Sequence, residues 1–134
     1  MRYLTDTNIW ILYLKQRNSA VEDRLRSTPA GEVAVCSVVR AELLHGARKY
    51  GNVANRVALV EETLAPYLSL PFDDQAAYHY AEVRHHLESV GAVIGANDLL
   101  IASVARAHGL VMATGNVREF QRIPGLAVED WTLP

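Results

Sequence analysis

Residues 3–10 read Tyr3-Leu4-Thr5-Asp6-Thr7-Asn8-Ile9-Trp10. The run from Tyr3 to Asp6 is short and apolar enough to be a buried strand. Asn8 is placed to cap a helix over Ile9 to Lys15, which is apolar nearly all round and so expected inside. Asp6 therefore sits where a strand ends. Outward from this stretch the same succession recurs. After Pro29-Ala30-Gly31, Val33 to Cys36 form a second apolar run, and Ser37 is placed to cap a helix to about Lys49, stopped near Gly51. Val53, Val57, Val60 and Leu64 recur at helical spacing up to Pro66, and Leu68 to Leu70 before Pro71 reads as a third strand. Asp73 caps a helix with Ala76, Tyr80, Val83, Leu87 and Val90 on one face, closed by Gly91. A glycine-broken loop leads to Ala96, an apolar helix spans Asp98 to His108, and Gly109 precedes a strand over Leu110 to Ala113. Strands alternating with helices imply right-handed crossovers and a parallel sheet covered on both faces. Ligands of such sheets gather at the carboxyl ends of the strands, where Asp6 and Thr114-Gly115-Asn116 fall.

A chain of 134 residues fits one domain that buries about two-thirds of its unfolded surface. With 13 Lys+Arg against 15 Asp+Glu, the net charge of -2 excludes a broadly basic nucleic-acid binder, so any such site must be local. Only Lys15 and Lys49 are lysines; the other cations are arginines, whose planar fork suits phosphate. Cys36 is alone among Val33, Ala34, Val35 and Val38, which predicts a buried, inert thiol and a reducing compartment. The strand-like start leaves no room for a signal peptide, and no uncharged stretch reaches the roughly 18 residues of a membrane span. The expected location is the cytoplasm.

Three acids sit in apolar company. Asp6 follows a buried strand, with a turn or capping role as its plain alternative. Glu42 shares a helix face with Val38, Val39 and Gly46 and points inward; a buried ion pair with an arginine is its alternative. Asp98 opens a helix continuing Leu99-Leu100-Ile101-Ala102, where an N-terminal carboxylate is favoured in any case. Three carboxylates from a strand end, an inward helix face and a helix start can converge at one sheet edge, where they repel unless a cation intervenes. Cys36 has no partner and His85-His86 point different ways round a helix, so zinc is not indicated; His45 is read as a surface histidine. Oxygen ligands alone indicate Mg²⁺ or Mn²⁺ completed by water and substrate phosphate, which is phosphoester chemistry.

At this point four ordered segments resemble a known family. Leu4-Thr5-Asp6-Thr7-Asn8, Arg40-Ala41-Glu42-Leu43-Leu44-His45-Gly46-Ala47, Ile94-Gly95-Ala96-Asn97-Asp98-Leu99-Leu100-Ile101-Ala102 and Thr114-Gly115-Asn116-Val117-Arg118-Glu119-Phe120 are similar to the PIN-domain toxins of bacterial toxin–antitoxin pairs, the VapC ribonucleases. The ending Ile123-Pro124-Gly125-Leu126 through Asp130-Trp131 resembles theirs too. The resemblance covers essentially the whole chain. It implies a single PIN domain over residues 1–134, a three-layer α/β/α sandwich around a central, mostly parallel sheet of about five strands. It implies Mg²⁺-dependent endonucleolytic cleavage of RNA, with Mn²⁺ able to substitute and tRNA or ribosomal RNA as substrate. It also implies a homodimer, larger toxin–antitoxin assemblies, and inhibition by a VapB-like antitoxin whose C-terminal segment wraps the toxin and blocks the acidic site. Carried over, Asp6 and Asp98 would be direct metal ligands and Glu42 a ligand or the water-orienting base. The fourth segment departs from the pattern: family members often place an acid where this chain has Asn116, with Glu119 three residues on.

Asn116-x-x-Glu119 is also the spacing of a capping box, Asn116 accepting a helix amide while Glu119 reaches back. Alternatively, Asn116 and Glu119 serve metal or phosphate. Thr114 has two roles open to it: bonding Asp6 or phosphate, or holding a turn. Arg40, Arg48, Arg118 and Arg122 are candidates to grip RNA phosphates once bound metal has reversed the local charge. Trp10 and Tyr13 are candidates for base stacking, with core or interface packing as the alternative. Two other functions compete with a ribonuclease. One is a catalytically weak or inactive module that binds RNA or a protein partner without turnover, suggested by Asn116. The other is an aspartyl-nucleophile phosphatase, which would carry a second Asp where this chain has Asn8.

Overall fold

Tyr3–Thr5 (β1) is buried along its whole length and lies in the middle of a parallel sheet, in a computed structural model that describes residues 1 to 134. The other strands are Val33–Cys36 (β2), Leu68–Leu70 (β3), Val111–Thr114 (β4) and Val128–Asp130 (β5). Their order across the five-stranded sheet is β3-β2-β1-β4-β5. Tyr3 pairs with Val33 on one side and Val111 on the other, Cys36 pairs with Leu70, and Thr114 with Asp130. This register lines up the carboxyl ends of all the strands along one edge. The central position of β1 therefore brings whatever follows Thr5 to the middle of that edge.

Seven helices cover the sheet, giving the three-layer α/β/α sandwich: Thr7–Leu14 (α1), Ser19–Ser27 (α2), Ser37–Ala47 (α3), Val53–Leu64 (α4), Asp74–Ser89 (α5), Ala96–Ala107 (α6) and Val117–Phe120 (α7). A single cluster of 31 buried apolar residues fills the space between them, with Trp10, Trp131 and Phe120 the largest fully enclosed side chains. Trp10 is in this core, its Nε1 donating to Thr5 Oγ1 at 2.7 Å, so it is not available to stack a base. Tyr13 is partly exposed, its ring meeting the Trp10 ring edge-on.

Several boundaries differ from the sequence reading, each for a local reason. Asn8 does not cap α1. Asp6 does, through Oδ1 accepting from Ile9 N–H at 3.1 Å, so the helix starts two residues earlier than expected. Ser37 is likewise inside α3, and its hydroxyl accepts from Phe72 N–H at 3.3 Å instead of capping. Gly95 holds the cap position of α6, which places Asp98 in the first turn rather than at the helix start. Val90 lies beyond the end of α5 and is 58 % exposed, not on its buried face. Two elements, α2 and β5, have no counterpart in the sequence reading. Asn18 caps α2 by accepting from Val21 N–H at 3.1 Å. No helix is long and apolar enough to cross a membrane.

Candidate active site

Asp6 follows β1 in an extended conformation, its N–H donating to Ala113 O at 3.2 Å, so the backbone is held to β4 as the chain turns into α1. Its side chain is 3 % exposed. Oδ1 accepts from Ile9 N–H, and Oδ2 accepts a short hydrogen bond from the Thr114 hydroxyl. Thr114 is fully buried at the end of β4, and its oxygen in turn accepts from Asn116 N–H at 2.8 Å. Burial pushes the Asp6 carboxyl up to about 6, against the opposing pull of the Thr114 and Ile9 hydrogen bonds and with a smaller push from the charge of Glu42.

Glu42 projects from α3, half-buried, with both oxygens engaged. Thr7 donates its hydroxyl to Oε1 at 2.5 Å and Asn97 donates its amide to Oε2 at 3.1 Å. Asp98 arrives from the first turn of α6 and is also raised to about 6. Burial is the largest cause, followed by the charges of Glu119, Asp6 and Glu42. Glu119 therefore belongs with the acids. Its Oε1 accepts from Gly95 N–H at 2.7 Å and its Oε2 from Asn116 Nδ2 at 2.5 Å. The capping box expected at this spacing does not form, because Asn116 makes no side-chain cap and Glu119 reaches across to α6 instead of back to Asn116 N–H. Gly95 lies between the acids: a Cβ there would stand 3.6 Å from Glu119 Oε1 and 3.7 Å from Asp98 Oδ2.

None of the six ion pairs in the chain includes Asp6, Glu42, Asp98 or Glu119, so the ion-pair alternative for Glu42 does not apply. Neighbouring carboxylates add to the upward push on the two aspartates, Glu42 on both and Glu119 on Asp98, with no ion pair to relieve them. No three His, Cys, Asp or Glu side chains come close enough together to hold a metal ion by themselves, so any ion here would rest on one or two carboxylates and keep its waters. An open, all-oxygen, anionic set fits a hard divalent ion that keeps several waters. Arg40 is tied to Glu61 at 3.0 Å, and Arg122 donates to Val93 O at 3.3 Å. Arg48 and Arg118 are exposed. None of the four arginines bonds to the carboxylates. His45, His85 and His86 are exposed, and burial pushes the Cys36 thiol up, so none competes as a metal ligand. Sequence reasoning missed Thr7, Asn97 and Gly95 as site residues, although each adjoins or lies near one of the acids it singled out.

A parallel α/β/α sheet with a carboxylate cluster at its carboxyl edge is the architecture of the PIN-domain nucleases, and residues 3–126 match the family model described as PIN domain. Ribonuclease VapC2 of Haemophilus influenzae is 34% identical over 131 residues, 98% of each chain. The tRNA(fMet)-specific endonuclease VapC of Shigella flexneri is 34% identical over 132 residues, 98% of this chain and 99% of its own. The fold is similar to the crystal structure of DNA-bound VapBC from Salmonella typhimurium, with a TM-score of 0.91, 34% identity and 98% of both chains covered. The chain belongs to the VapC ribonucleases, the PIN-domain toxins of toxin–antitoxin pairs. PIN-domain ribonucleases depend in general on divalent metal ions.

Proposed function

We propose that this chain acts as a single PIN domain over residues 1–134 that hydrolyses phosphodiester bonds in RNA, with Mg²⁺ as its natural ion and Mn²⁺ able to replace it. The observation that carries this is the set of Asp6, Glu42, Asp98 and Glu119 at one sheet edge without a protein cation. Asp6 and Asp98 would hold the ion. Bound there, it would offset the mutual repulsion of the acids and polarise the scissile phosphate. Glu42, with one lone pair of each oxygen already used by Thr7 and Asn97, keeps the others to orient a water and accept its proton. Thr114 fixes Asp6, and the Asn116–Glu119 pair fixes the start of α6 and with it Asp98. Arg48 and Arg118, exposed and outside any ion pair, are free to bind phosphates of the RNA.

The substrate is tRNA or ribosomal RNA, a choice supported by the relative that acts on tRNA(fMet). The toxin forms a homodimer and is held inactive by a VapB-like antitoxin; the antitoxin partner is supported by the VapBC complexes among its structural neighbours. The purified protein is expected to cut RNA with Mg²⁺ or Mn²⁺, to stop with EDTA, and to leave a 5′-phosphate and a 3′-hydroxyl. Cutting without metal, or a 2′,3′-cyclic phosphate end, would overturn the assignment. The inactive-module alternative rested on Asn116 at the fourth position. The carboxylate of Glu119, near enough to Asp98 to raise it, weighs against that reading.

A further inference from the structure

Each of the two aspartates has a neutral polar neighbour in the chain that turns toward the third acid. Thr7, which follows Asp6, and Asn97, which precedes Asp98, grip the two oxygens of Glu42 across 35 and 55 residues of sequence. Neither contact is a helix cap. Asp6 caps α1, and Leu99 N–H of α6 bonds to Gly95 O at 2.9 Å. A glutamate at the rim of a site ordinarily spreads over several rotamers, and its terminal torsion is broad. Two donors on opposite oxygens fix the carboxylate plane. Because both donors are neutral, they do so without cancelling the charge, which an arginine would have done.

We propose that Thr7 and Asn97 are positioning residues for RNA cleavage, clamping Glu42 between the starts of α1 and α6 so that its free lone pairs face the attacking water. The clamp rests on the ribonuclease assignment given above. Thr7→Val keeps the shape and removes the donor; Asn97→Ala truncates the side chain and removes the other donor at an exposed position, where no packing is lost, and serves if Thr7→Val fails to fold. Each is expected to lower kcat about ten- to hundredfold, the loss typical of a hydrogen bond to a charged group. KM for RNA and the Mn²⁺ affinity measured by calorimetry without RNA stay near the wild-type values. Thr7→Ser restores most of the rate. The double variant Thr7→Val/Asn97→Ala falls no further than Glu42→Ala, because all three changes act through one side chain.

A folded Thr7→Val and a folded Asn97→Ala that both cleave at the wild-type rate would sink the clamp. So would a loss that appears in Mn²⁺ affinity rather than kcat, or a double variant slower than Glu42→Ala. The two failures are separable: wild-type protein inert toward RNA with Mn²⁺ would remove the ribonuclease assignment itself, whereas active wild type with unaffected variants removes only the clamp.

Discussion

Asp6 holds α1 through Ile9 N–H, receives the Thr114 hydroxyl, and carries charge that its surroundings resist. Its carboxyl is raised from 3.8 to about 6, so between those values the folded protein binds more protons than the unfolded chain. Stability from this group is therefore present at low pH, falls as pH rises through that window, and stays reduced above it by an amount on the order of 3 kcal/mol. Asn keeps an acceptor for Ile9 N–H, and the Thr114 oxygen can accept from its amide. Asp6→Asn is thus expected to abolish cleavage while raising the melting temperature at pH 7.5 by several degrees, a gain that vanishes near pH 4. Thermal melts across pH check this; a variant less stable than wild type at pH 7.5 would mean that Asp6 is chiefly structural. The sequence betrayed Asp6, Glu42 and Asp98 because an acid in an apolar run needs an explanation. Thr7 and Asn97 escaped because a threonine or asparagine at a helix start already has one.

Among the elements, α2 and β5 were illegible for the same reason: they stabilise each other through contacts distant in sequence. Arg24 of α2 meets Glu129 of β5 at 2.6 Å and lies 5.6 Å from the Trp131 ring, while Asn18 Nδ2 donates to Thr132 O at 3.2 Å. Locally, α2 offers only Val21 and Leu25, one i,i+4 pair of buried residues among polar ones, and β5 is a three-residue edge strand, so neither carries enough apolar residues to stand out as an element. The alternation that did show, β1 to α1 and β2 to α3, was enough to place the acids at the sheet's edge. The same C-terminal segment makes Gly115 necessary, since a Cβ there would stand 2.6 Å from Thr132 Cγ2. Gly115→Ala is expected to destabilise the fold by about 1–3 kcal/mol, as overpacking does. Thr132→Ser removes the offending methyl and keeps the hydroxyl bonded to Asp130 Oδ1 at 2.6 Å. Combining the two changes should recover most of the loss in a denaturant titration. Equal destabilisation with and without Thr132→Ser would place the strain elsewhere.

At the scale of the whole molecule, a net charge of -2 hides a concentration of like charge at one edge that the fold stabilises only at a cost. Asp6 and Asp98, both raised to about 6, are ionised at pH 7.5 against the preference of the folded state. A divalent ion reverses that preference because it binds the folded, ionised form and not the unfolded chain. Mn²⁺ at a hundred times its dissociation constant is then expected to stabilise the protein by about 2.7 kcal/mol at pH 7.5. The gain should shrink toward pH 5, where protons occupy the same carboxylates, and should be largely absent in Asp6→Asn and Asp98→Asn. KCl at matched ionic strength tests whether mere screening suffices, since screening acts on exposed charges everywhere and has no reason to fail in a single-residue variant. Melting curves with Mn²⁺, with KCl and with EDTA separate the two: a shift that KCl reproduces, or one that survives in both aspartate variants, would place the ion away from this sheet edge.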